Sequence, residues 1–108
     1  MSVEYEAAVD DCAVALLAST QAPNELGEFM ARLHEALALR GAIVEQRYVV
    51  RALGREVAED VTARALEIFA GVAREDVPPD AADLIEGALG DVLRDVLARI
   101  EAAWPVLQ

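Results

Sequence analysis

Residues Arg32–Arg51 read RLHEALALRGAIVEQRYVVR, and the fold turns on how the second half of this stretch is read. Up to Arg40 the pattern is helical: Leu33 and Leu37 continue a stripe begun by Leu26 and Met30, with Phe29 beside it. Gly41 then suits the left-handed position that ends a helix. Beyond it, AIVEQRYVV at 42–50 is rich in β-branched and aromatic residues, as a short strand would be. Over a longer window the helical period prevails. Val50, Leu53, Val57, Val61, Ala65, Ile68 and Val72 keep three- or four-residue spacing across about six turns. The spacing therefore predicts a long third helix reaching back into 42–50, with Gly54 as the place where it kinks or divides.

Working outward, the same period predicts a first helix from Val3 to about Ser19. Tyr5, Val9, Cys12 and Leu16 form its stripe, flanked by Ala8, Ala13 and Leu17. The segment STQAPN breaks the pattern, and Asn24 is an N-cap candidate for the second helix, with Glu25 and Glu28 in its first turn. REDVPPD at 74–80 is the clearest punctuation. Pro78 and Pro79 cannot continue a helix, and Asp80 is placed to cap the next one. That fourth helix extends to about Trp104 on a stripe of Ile85, Leu89, Val92, Val96 and Ile100, widened by Leu84, Leu93 and Leu97. Four helices with three short connections make an all-α chain, a compact four-helix bundle or helical array of one domain over residues 1–108.

Composition agrees. The chain is 56% apolar and 27% charged, which excludes an intrinsically disordered chain. Cys12 is the sole cysteine, so no internal disulfide is expected and a reducing, cytoplasmic setting fits. Its sequence neighbours Asp10 and Asp11 are anionic, the opposite of what activates a thiol, so Cys12 reads as a small core residue. The acidic start MSVEYEAAVDD is unlike a signal peptide, and the longest apolar run, Cys12–Ala18, is far shorter than the roughly 20 residues of a membrane span.

Charge is distributed unevenly. The net charge is −11 with no lysine anywhere. Residues 1–30 carry −6, residues 31–55 carry +3 and residues 56–108 carry −8. Such a chain is repelled by nucleic-acid phosphates and anionic membranes, so direct nucleic-acid binding is not expected even though 31–53 has the length of a helix-turn-helix.

No catalytic or ligand motif stands out. His34 borders the second helical stripe, about 40° from Met30 and 60° from Leu37. Position 31 is alanine, so the Glu-x-x-His arrangement of carboxylate-bridged metal sites is absent, and the chain has no second histidine. No metal or other cofactor is implied. Two charged sets remain. Asp83, Glu86, Asp91 and Asp95 on the fourth helix are an acidic candidate surface for a basic partner, although Asp91 to Arg94 and Asp95 to Arg99 have ion-pair spacing. Arg47, Arg51 and Arg55, with Tyr48, are an alternative anion patch if the third helix is continuous. Pairing with the chain's own acids, such as Asp10, Asp11 or those of the fourth helix, is the structural explanation for them. Gly87 and Gly90, three residues apart inside a helix, suggest close approach of another backbone, from within the fold, a dimer mate or a bound protein.

The function these features favour is a small acidic, non-enzymatic protein-binding module of the inhibitor, immunity or adaptor kind. Its partner would be a basic, possibly nucleic-acid-handling protein. The alternatives are a small helical enzyme using the arginines for an anionic substrate, with Glu45 or Tyr48 for proton transfer, and a structural homodimer.

Overall fold

The structure is a computed structural model that describes residues 3–45, 47–72, 78–104 and 106–107. Helix α1 spans Val3–Gln21. A single 3-10 turn, Pro23–Glu25, leads into α2, Leu26–Arg40. Two short strands follow, β1 at Ile43–Val44 and β2 at Tyr48–Val50. Helix α3 spans Arg51–Val72, α4 spans Pro79–Ala103, and β3 closes the order at Val106–Leu107. The fold is all-α with a small sheet appended.

α1 is the central element and touches the other three helices. Its buried residues, Tyr5, Ala8, Val9, Cys12, Ala13, Ala15 and Leu16, cover more than one stripe, and three of them are alanines that let neighbours approach closely. Phe29, Leu33 and Leu37 of α2, Val57, Val61 and Ala65 of α3, and Leu89, Leu93, Val96 and Ile100 of α4 complete the core. These follow the helical period, recurring every three or four positions, but Phe29 and Leu93, expected beside their stripes, are core residues, while Met30 and Val92, expected in them, are only partly buried.

α2 ends as expected. Gly41 has φ 81°, its N–H donates to the Ala38 carbonyl at 3.1 Å, and the Ala42 N–H donates to the Leu37 carbonyl at 2.8 Å. This is a Schellman closure, which needs a residue without a Cβ penalty in the left-handed region. Its start differs. Asn24 lies within the 3-10 turn, and Glu25 holds the cap position without a side-chain hydrogen bond. α4 differs likewise: Pro78 is the cap, extended at φ −61° and ψ 151°, Pro79 takes the first helical position, and Asp80 lies inside the first turn.

The main correction falls on 42–50. These residues do not extend α3 but fold into a hairpin. Ile43 pairs with Val49 and Val44 with Tyr48, antiparallel, across a turn in which Glu45 has φ 52° and the Arg47 N–H donates to the Val44 carbonyl at 3.0 Å. β3 then lies parallel on β2, with Val49 opposite Val106 and Val50 opposite Leu107. Val50 kept the helical spacing of Leu53 and Val57 by coincidence of phase. The β-branched run found its backbone partners in a hairpin and in a strand more than fifty residues away. α3 therefore begins at Arg51 and runs unbroken through Gly54, which sits in its first turn. There a Cβ would stand 3.5 Å from a Val49 methyl, an ordinary contact, so the start of the helix packs on the sheet.

The chain's end is fixed against α2. The Trp104 N–H donates to the Ile100 carbonyl at 3.0 Å, and its ring lies tilted against His34 with centroids 4.8 Å apart. No helix among the described residues is long and apolar enough to cross a membrane.

Candidate interaction surfaces

α1 and α3 pack side by side, and their outward edges bound an open groove of about 460 Å³. Glu6 and Asp10 come from α1, Asp60, Arg64 and Glu67 from α3, and Tyr5, Val9 and Ala63 line the floor and walls. Four carboxylates thus face one guanidinium, and that guanidinium is already engaged: Arg64 donates to Asp10 at 2.6 Å and to Glu67 at 2.9 Å. Tyr5 is 3% exposed and its hydroxyl donates to Asp60 at 2.7 Å. Burial, followed by the adjoining carboxylate, raises the phenol far above its usual range and keeps it neutral. Arg40 lies over the same ring at 5.8 Å and bonds Glu56 at 2.9 Å, tying α2 to α3.

A second groove, of about 520 Å³, follows the other flank of α3. Glu59, Thr62 and Leu66 line it from α3, and Glu86, Gly90, Leu93 and Arg94 from α4. Ala63 lines both grooves, so they run along the two sides of one exposed helical ridge. Across the two grooves the carboxylates are Glu6, Asp10, Glu59, Asp60, Glu67 and Glu86. The cations among the described residues there are Arg64 and Arg94, and Arg94 is held by Asp91 at 2.5 Å.

The α4 acids do not share one face. Asp83, Glu86, Asp91 and Asp95 are all exposed. Glu86 and Asp95 lie about 180° apart around the helix, and only Glu86 reaches the α3 groove. Both expected pairs form, Asp91 with Arg94 and Asp95 with Arg99 at 3.1 Å. Gly87 has no atom within 4 Å of where a Cβ would stand, and Gly90 meets only the end of Arg94 at 4.0 Å. No backbone within the described fold accounts for them.

The arginine set is dispersed by the hairpin. Arg47 sits in its turn, Tyr48 on β2, and Arg51 and Arg55 at the start of α3. The pairing expected for them is not found. Asp10 is taken by Arg64, Asp11 lies 4.0 Å from Arg32, and Asp91 and Asp95 of α4 pair within α4. Among the described residues no carboxylate lies within 4.0 Å of Arg47, Arg51 or Arg55. Neither of the two grooves includes these arginines, Glu45 or Tyr48.

His34 meets Trp104 rather than other ligating side chains. Cys12 is fully buried, and burial pushes its thiol up to about 12. No protein-family model matches the chain, and comparison with curated proteins and with solved structures gave no significant match.

Proposed function

We propose that this chain is a non-enzymatic protein-binding module that holds a basic partner over the exposed ridge of α3. One observation carries the reading: both flanks of that ridge are lined by carboxylates, and the two arginines among them are already neutralised within the fold. The small side chain of Ala63 at the crest leaves room for the long arms of lysine or arginine to reach either groove. A net charge of −11 adds long-range attraction for a basic surface, such as one that a nucleic-acid-handling protein turns toward phosphates. An inhibitor, immunity-type or adaptor role follows from the same chemistry.

The test is capture of the partner from its native cell on the immobilised chain, followed by binding kinetics with the identified protein. The association rate should fall steeply with salt, because exposed charges are screened over about 8 Å at physiological ionic strength. Reversing Glu6, Glu59, Glu67 and Glu86 to lysine should slow association about tenfold or more with helix content unchanged. A parallel reversal of Asp83, Asp91 and Asp95 separates the α3 ridge from the outer face of α4. A partner whose binding ignores both salt and the ridge variant would refute the proposal.

A further inference from the structure

Asp10 and Glu67 stand on different helices, α1 and α3, and one side chain joins them. Arg64 leaves α3, crosses the groove between the helices, and donates from Nε to Asp10 at 2.6 Å and from Nη1 to Glu67 at 2.9 Å. Two separate nitrogens of one guanidinium thus serve two carboxylates, using the planar fork that a point-like ammonium does not present. The groove on the other flank of α3 is built differently. Among the described residues Arg94 bonds within α4, to the Asp91 carboxylate and at 3.3 Å to the Gly90 carbonyl, and does not cross to α3.

Arg64 is held from open water. Its side chain is 44% exposed, against 50% for Asp10 and 67% for Glu67. Ion pairs this accessible contribute little and exchange with competing ions. The groove also keeps an excess of negative charge. Four carboxylates line it with Arg64 as the cation among them. Asp60 accepts the Tyr5 hydroxyl, and Glu6 has no cation within 4.0 Å among the described residues. A cation entering the groove therefore finds Asp10 and Glu67 already occupied, in a place that has room for more positive charge than it holds.

We infer that Arg64 is an autoinhibitory occupant of the α1–α3 groove, and that the basic partner binds by setting an arginine of its own on Asp10 and Glu67 in place of Arg64. The inference rests on the reading of the α3 ridge as the binding surface, and names the side chain that engages it. The exchange conserves both charge-assisted hydrogen bonds, since one guanidinium replaces another, and the displaced Arg64 turns into solvent. A lysine in the same place brings the charge without the fork.

The probes are two fluorescein-labelled short peptides, one alternating arginine with serine and the other lysine with serine, titrated into the full chain by anisotropy. The arginine peptide should bind more tightly, with amide chemical-shift changes at 6–10 and 59–67. Arg64→Ala should tighten its binding about threefold or more. Arg99→Ala removes the same charge from α4 outside both grooves, and so measures a purely general charge effect. Unchanged circular dichroism confirms that the variants fold. The unaltered chain gives a second readout: the Arg64 Nε–H resonance should move toward that of a solvated arginine as the peptide saturates. The inference is overturned by an Arg64→Ala chain that binds no tighter than Arg99→Ala, by equal affinity for the lysine peptide, or by an Arg64 resonance that stays in place at saturation. In each of those cases, binding that still maps to 6–10 and 59–67 leaves the ridge reading standing. An arginine peptide that binds no form of the chain, or that shifts residues elsewhere, defeats both.

Discussion

Tyr5 shows how one side chain couples three helices. It is rooted in α1, its hydroxyl meets Asp60 of α3, and its ring supports Arg40 of α2. Tyr5→Phe removes a hydrogen bond to a charged acceptor and should cost about 1–2 kcal/mol of unfolding free energy, read from denaturant midpoints. Tyr5 and Cys12 both hold their protons more tightly folded than unfolded. Below about pH 7.5 both are protonated in either state, so they add no pH dependence there. As pH rises from about 8 toward 12 the unfolded chain loses these protons first, Cys12 before Tyr5, and stability must fall. Chemical denaturation across that interval checks the sign, and Tyr5→Phe should flatten the loss. In the native state at mild pH, Cys12 should resist a thiol reagent and react once the chain is unfolded.

At the scale of elements, α4 and the sheet contrast. α4 carries two glycines that nothing in the described fold requires, and each costs helix stability. Gly87→Ala should therefore stabilise by about 0.5–1 kcal/mol, seen as a rise of a few degrees in Tm. A variant that is more stable yet binds its partner less well would show that the partner's backbone uses the gap. The sheet is short, and its middle residue Val49 carries it: fully buried, paired on both sides, and in contact range of Gly54. Val49→Ala should cost about 2 kcal/mol. It should also loosen β3, which Trp104 fluorescence near His34 would report.

For the whole molecule, charge and exposed apolar surface act in opposite directions with salt. Leu84 of α4 is 75% exposed and would be covered in a homodimer along that helix, while −11 on each copy opposes such pairing. Screening relieves the repulsion. Light scattering should then show the mass rising from 11.6 kDa toward twice that value as salt increases, the reverse of the salt effect on a basic partner. A constant 11.6 kDa would remove the homodimer reading.

The sequence by itself determined the four helices, their buried stripes, the glycine closure at Gly41 and the pairing of Asp91 with Arg94 and Asp95 with Arg99. Each of these depends on residues within a few positions of one another. The hairpin at 42–50 was decided only in three dimensions, because Val49 needs Val106 as well as Ile43 to favour a strand over a helix that its neighbours also permit. The acidic grooves were decided there too. Glu6 and Asp10 acquire meaning only when α1 lies beside Asp60 and Glu67, some fifty residues on. The arginines at the sheet stand out for the same reason. In the sequence they are three cations among many acids, and only the tertiary structure shows that no described carboxylate lies within 4.0 Å of them.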